Sequence, residues 1–489
     1  MTYRHRILTF CLLAILPMTA FSADINLPNI GDAAGTLMSP EEERQLGQEF
    51  MQNVRQSLTL LDDPVAEEYI QTLGDHLVSQ VSDYHQQVTF FIVKDPAINA
   101  FAGPGGYIGV HTGLITAARS EGELASVLAH EISHVVQRHL LRAFETDSRM
   151  GLPTLAAILA AIIVGGNNPQ VGEAVLASSI AGTTQKQLTF SRQHEQEADR
   201  VGLDILAHAG YDPRTMVSFF ETLQQSNRYA DNRLPEFLLT HPLTFSRVAD
   251  TRNRAAQYPQ TKSGDETTFR LFQARIAVTT TEKINLQTTD IEGQNVPEQY
   301  RNTLMNLRKG DYKQARQGIK ALQLQDPNRI LYHQTAAEIE LAADNTENAR
   351  ELLKKSLGLF PDNGPLSLLY AETLLQLGDA DTTLRLLDRQ IRLHPRQKQL
   401  YSLQARAAQK AGQPADAYLA LAEIQILEGN TRQAIDYMEL ALEQANITPH
   451  QRLAVEARLK TLKDEVQQTA QQPPPERDKT PANHSRQTL

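Results

Sequence analysis

The sequence predicts a mainly α chain in two parts, an α+β half built on one helix and a small β-sheet, then an α-solenoid of two-helix repeats. Three observations carry that expectation. His130 and His134 flank Glu131 inside an amphipathic run from Glu121 to Arg138. Two apolar, β-rich runs, 88–93 and 107–111, precede that run and are separated by the turn Gly103-Pro104-Gly105-Gly106. A 34-residue lattice of glycine, proline and alanine runs through the C-terminal half. With 489 residues, the chain is long enough for two or three domains with ordinary cores.

At the N-terminus, Arg4 and Arg6 precede the apolar stretch 7–16, followed by the small residues Ala20, Ser22 and Ala23. That order predicts a secretory signal peptide over 1–23. The apolar run is too short for a comfortable membrane span. Cys11 is the only cysteine and lies inside this segment, after Phe10, a poor context for lipoprotein cleavage. The exported chain then has no disulfide and no thiolate, so a bound zinc must be held by histidine and carboxylate. Losing Arg4 and Arg6 takes the formal charge from −10 to −12. No basic patch emerges, and nucleic acid is not an expected partner.

Residues 24–255 are expected to form the catalytic domain. Ser39-Pro40-Glu41-Glu42 reads as a helix start, with Ser39 as cap, Pro40 in the first turn and Glu42 closing a capping box. The strand expected over 107–111 comes just before the helix of His130. An edge strand in that place can pair with an extended substrate, which makes Tyr107, Ile108, Gly109 and Val110 candidate substrate contacts; an ordinary buried hairpin is the alternative. On the helix, side chains four apart share a face, so the two imidazoles can converge on one ion. Glu131 sits beside the first ligand, placed to take a proton from water. His139, five residues past His134, falls on another helical face and is expected at the surface. The apolar stretch 151–185, broken by Pro153 and Gly165-Gly166, predicts a helical hairpin over the site, with peripheral membrane contact as a further possibility.

Two histidines do not complete a catalytic zinc site. Position 140 is leucine, so no histidine lies six residues beyond His134, and Glu145, Glu173, Glu195, Glu197 and Glu221 are the acidic candidates for a third ligand. Glu195 and Asp199 fall four apart on one helical face, so Glu195 can ligate while Asp199 orients a liganding imidazole. Glu197 is expected to point away from that face.

Asn99-Ala-Phe-Ala with Pro104-Gly-Gly, then His130-Glu131-Ile-Ser-His134, then Glu195-Gln-Glu-Ala-Asp199, resemble in order the motifs of the M48 family of zinc metallopeptidases. Thr240-His241-Pro242 also matches a turn near the end of that family's catalytic domain. The resemblance implies a zincin-like metalloprotease domain holding one zinc ion on His130, His134 and Glu195, with Glu131 as general base. It places His241 near the metal, as a transition-state stabiliser or a reversible fourth ligand. Arg247, just past that turn, joins the candidate substrate contacts.

Gly310, Asp344, Gly378 and Gly412 are spaced 34 residues apart, as are Pro327, Pro361 and Pro395. Ala315, Ala349, Thr383 and Ala417 occupy a parallel lattice. This period is the tetratricopeptide signature, and it predicts a tetratricopeptide-repeat solenoid over 297–465. Gly429-Asn430 falls half a period later, so the last helices are expected to be offset or shortened. Residues 256–296 read as a linker with one helical segment near Phe269 to Ile276, and 466–489 as a disordered tail. Export signal, M48-like domain and repeats in this order resemble a periplasmic branch of that family. Its implied partners are misfolded or assembling outer-membrane β-barrel proteins and the outer-membrane assembly machinery, met through the repeats. A chaperone or scaffold with a latent protease site is the rival reading.

Overall fold

The computed structural model describes residues 38–82, 84–144, 192–229, 235–261, 264, 266–281 and 295–471. The expected signal peptide, the hairpin over 151–185 and most of the expected tail lie outside the described residues. Among those described, no helix is long and apolar enough to cross a membrane.

Helix α1 (Pro40–Ser57) starts as the sequence dictates: Ser39 Oγ accepts from the Glu42 N–H at 3.2 Å, and Glu42 accepts from the Ser39 N–H at 2.8 Å. Helix α2 (Pro64–Val78) is capped by Asp63. Three strands follow, β1 (Thr89–Val93), β2 (Ala100–Ala102) and β3 (Tyr107–His111). The sheet order is β1-β3-β2, with β3 parallel to β1 and antiparallel to β2. Tyr107, Ile108, Gly109 and Val110 therefore lie on the central strand, paired on both sides, with no free edge to offer a substrate. That corrects the expectation of an edge strand there. The outer strand next to the metal helix is β2, three residues long and without a readable alternation. Gly109 is required by this layer, since a Cβ there would stand 2.4 Å from the Phe101 ring of β2.

Helices α3 (Thr112–Ala117) and α4 (Glu121–Val136) come next, then α5 (His139–Phe144), α6 (Arg192–His208), α7 (Arg214–Tyr229), α8 (Phe237–Thr240) and α9 (Phe245–Ala255). The apolar stripe of α4 (Leu124, Val127, Leu128, Ile132) is buried in one core with Ile92, Ile108 and Val110 of the sheet and with Leu203, Leu206, Phe219 and Leu223 of α6 and α7. Each such side chain stabilises the fold by about 1.5–3 kcal/mol. This packing brings α6 against α4.

Helix α10 (Thr267–Thr280) is the helical segment expected inside the linker, and it is buried on two faces. Phe269, Phe272 and Ile276 belong to the catalytic core; Leu271, Ala274 and Val278 belong to a core shared with Tyr300, Leu304 and Tyr332 of the first repeats. Arg275 completes the bridge, with Nε 2.7 Å from Asp63 and Nη2 2.9 Å from Glu338.

The repeats follow as helix pairs, α11 (Val296–Lys309) with α12 (Tyr312–Gln325), α13 (Ile330–Ala342) with α14 (Thr346–Leu359), α15 (Gly364–Gln376) with α16 (Ala380–Leu393), and α17 (Lys398–Lys410) with α18 (Pro414–Glu428). The lattice positions are where the first helix of each pair turns over: Gly310, Asp344, Gly378 and Gly412 have φ of 79°, 59°, 84° and 71°. Aspartate is among the few other residues that enter this left-handed region readily. Gly429, off the lattice, ends α18 with φ 79°. Of the last two helices, α19 (Thr431–Leu442) has 12 residues, but the final α20 (Pro449–Gln471) runs for 23, so the end of the array is offset rather than uniformly shortened. The solenoid curls back onto the first two helices. Gln52 donates to the Glu428 carbonyl at 2.8 Å, Gln399 to Glu67 at 2.9 Å and Asn363 to Glu68 at 3.1 Å.

Candidate metal centre

Helix α4 begins at Ser120, whose Oγ accepts from the Glu123 N–H at 3.2 Å, and it continues unbroken past both histidines. His130 and His134 lie one turn apart with their Nε2 atoms 3.1 Å from each other. From α6, Glu195 brings Oε1 to 3.4 Å from His134 Nε2 and Oε2 to 3.6 Å from His130 Nε2. His241, at the C-terminal end of α8, places Nδ1 2.9 Å from Glu195 Oε1 and 3.4 Å from His130 Nε2. Pro242 keeps His241 out of helical geometry, and its φ and ψ are −121° and 78°. One donor atom from each of these four residues lies within 4.8 Å of the others, and all four residues are buried.

This donor set fits a metal ion. Three imidazoles and a carboxylate, without thiolate, suit a borderline divalent ion. Four such groups in one buried cluster have too few hydrogens to satisfy one another, and a cation supplies what they lack. Glu131 faces the same space and is fully buried. Apart from a weak contact with the Ala102 backbone of β2, neither of its oxygens has a hydrogen-bond partner, and His241 Nε2 stands 3.5 Å from Oε1. Burial is the main cause that raises the Glu131 pKa above the ordinary carboxylate value.

The outer partners of His130 and His134 differ. Asp199 Oδ1 is 3.1 Å from His130 Nδ1. Burial pulls His130 down, but the Asp199 and Glu195 carboxylates outweigh it and push the ring up to about 9 in the metal-free protein. Burial dominates at His134, which is held well below the usual histidine value. Arg247 Nε and Nη2 grip Asp199 at 2.7 and 2.8 Å, and Nη1 lies 2.6 Å from Glu195 Oε2. Arg247 is buried and engaged by Asp199 and Glu195, which corrects its expected place among the substrate contacts: it braces the carboxylates of the donor cluster.

His139 was expected at the surface and is instead fully buried, with Nδ1 2.9 Å from His134 Nδ1. Glu197 stays off the face of Glu195 and Asp199, as expected, and reaches His139 Nε2 at 3.2 Å. The signal that could have located His139 is the chain reversal at Arg138, whose φ is 51° and which no residue-type rule announces.

The comparisons agree with this geometry. A family model described as peptidase family M48 matches residues 64–255, and a tetratricopeptide-repeat model matches 340–407. The chain is 34% identical over 457 residues to the "Beta-barrel assembly-enhancing protease" of Escherichia coli, covering 92% of this chain and 93% of that protein. It is 33% identical over 466 residues to the "Putative beta-barrel assembly-enhancing protease" of Vibrio cholerae, covering 93% of this chain and 96% of the relative. The mitochondrial metalloendopeptidase OMA1 of Arabidopsis thaliana is 34% identical over 151 residues, 31% of this chain and 28% of that one. Motifs, buried donor cluster and near full-length likeness converge, and the chain belongs to the M48 peptidase family, as a metallopeptidase carrying tetratricopeptide repeats.

Proposed function

We propose that this protein is a zinc endopeptidase of the bacterial periplasm that acts on outer-membrane β-barrel proteins, degrading misfolded or stalled chains and assisting the assembly of others. The observation that carries the reading is the convergence of His130, His134 and Glu195 beside the buried Glu131 carboxylate. Relatives named for β-barrel assembly support the client class, and an N-terminal stretch with the order of an export signal supports the compartment. Clients and the assembly machinery would be met through the repeats, and the apolar 151–185 stretch would supply any peripheral membrane contact.

His130, His134 and Glu195 would hold a zinc ion, which would supply the Lewis acidity that acidifies water and polarises a peptide carbonyl. Glu131 then takes the proton of the attacking water and delivers it to the leaving amine, a task suited to a carboxylate whose pKa burial has raised. Asp199 holds His130 by its outer nitrogen, and Arg247 holds Asp199 and Glu195 in turn. His241 offers Nδ1 to the donor cluster rather than to a substrate, which favours the role of reversible fourth ligand keeping the site latent. In that arrangement its Nε2 faces Glu131.

Glu131→Gln tests the reading. The variant keeps its metal and its fold and loses turnover by roughly 100-fold or more. Near-normal cleavage with metal bound would overturn the assignment. Mass spectrometry of chains retained by the same variant in cells identifies the clients; retention of soluble proteins alone would remove the outer-membrane class.

A further inference from the structure

His139 has no part in the chemistry above, yet it is fully buried against a metal ligand. On an unbroken helix a residue five places on is rotated by about 140°, so His139 would face away from His134. Instead α4 stops at Val136 and Arg138 adopts a left-handed conformation, φ 51°, which is costly for an L-residue other than glycine, asparagine or aspartate. Arg138 is held there by Glu43, 2.9 Å from its Nη2. The reversal brings His139 Nδ1 back to 2.9 Å from His134 Nδ1. On its other side, His139 Nε2 is 3.2 Å from Glu197 Oε2, and the His139 ring lies flat on His194 at a centroid distance of 4.5 Å.

One proton pattern satisfies this row. His134 turns Nε2 toward the donor cluster, so its hydrogen must sit on Nδ1. His139 Nδ1 accepts that hydrogen, and His139 Nε2–H donates to the Glu197 carboxylate. For His130 a single carboxylate, Asp199, fills the corresponding place.

We propose that His139, backed by Glu197, is a positioning residue that fixes the tautomer and ring plane in which His134 binds the metal. The proposal rests on the ligand assignment made above. Backbone strain at Arg138, burial at His139 and the two-sided contact all serve one result, an imidazole held by its outer nitrogen, the arrangement by which outer partners tune metal sites.

The test is zinc affinity of the full chain, measured by competition with a chromogenic chelator, so that it does not depend on cleavage. His139→Phe, which keeps ring volume and removes the acceptor, is expected to weaken zinc binding by roughly 10–100-fold. His139→Asn, whose Oδ1 takes the position of Nδ1, is expected to recover most of that loss, a rescue that a space-filling role would not produce. Glu197→Ala, at a half-exposed position, is expected to weaken binding by roughly 3–10-fold, at or below the lower end of the range for outer partners. Wild-type affinity in His139→Phe, or equal loss in the Phe and Asn variants, overturns the proposal. Should His139→Phe fail to fold, Glu197→Ala decides, and unchanged affinity there overturns it. His134→Ala run in parallel separates the two readings: zinc retained by that variant would refute the ligand set itself, whereas zinc lost there and kept in His139→Phe would refute only the positioning role.

Discussion

Arg247→Ala provides a quantitative test of how the metal centre is braced. Glu131, Glu195 and Asp199 are all buried, and the Arg247 guanidinium is the fixed positive charge that touches two of them. It grips Asp199 through two bonds of 2.7 and 2.8 Å, stands 2.6 Å from Glu195 and donates to the Pro242 carbonyl at 3.0 Å. Truncation leaves Asp199 and Glu195 with their histidine contacts alone, and breaking a buried pair in this way costs about 3–5 kcal/mol. In a domain of this size each kcal/mol moves the melting temperature by about 2–4 °C, so the expected fall is about 6–20 °C. Scanning calorimetry of the metal-free full-length protein reads this shift. Arg247→Lys should fall between the two, because an ammonium restores charge but not the two-pronged grip. A shift below about 2 °C in Arg247→Ala would refute the counterion role and reopen substrate contact for this residue.

Three further outcomes follow from the geometry. Glu195→Ala should lose most of its zinc by metal analysis; full occupancy would move the third ligand elsewhere. His241→Ala should raise basal proteolysis with zinc retained if Nδ1 acts as a fourth ligand, whereas lower turnover with zinc retained would make it a transition-state stabiliser. Burial, then the Asp62 charge, push Glu67 up to about 7 where the repeats meet α2. The docked protein must therefore ionise a buried acid as pH rises from about 4.5 through 7, and stability should fall across that window and level off above it. Glu67→Gln should flatten the fall in melting temperature; parallel curves for the two proteins would remove Glu67 from the linkage.

What could be read from sequence was what obeys local spacing. His130 and His134 share a face because they are four apart, Ser39 and Glu42 cap each other because they are three apart, and the turn glycines recur because each repeat needs one left-handed residue. What escaped depends on distant parts of the chain. His139 is turned inward by a reversal stabilised through Glu43, 95 residues upstream in numbering of the Arg138 that it holds. The sheet order escaped because β2 has only three residues, too few to show alternation, and its presence puts β3 in the centre. Arg247 looked available to substrate because nothing in its neighbourhood reveals that Asp199, 48 residues earlier, is its partner.

The two-faced helix over Thr267–Thr280 constrains how this architecture can be shuffled. A foreign repeat array grafted behind residue 280 would have to offer apolar partners for Leu271, Ala274 and Val278 and an acid for Arg275 in the place of Glu338. A cut before residue 267 would instead strip Phe269, Phe272 and Ile276 from the catalytic core. Neither junction is neutral, so peptidase and solenoid can be exchanged only as a matched pair, and differences between relatives in what the repeats hold should be accompanied by compensating changes along this one helix.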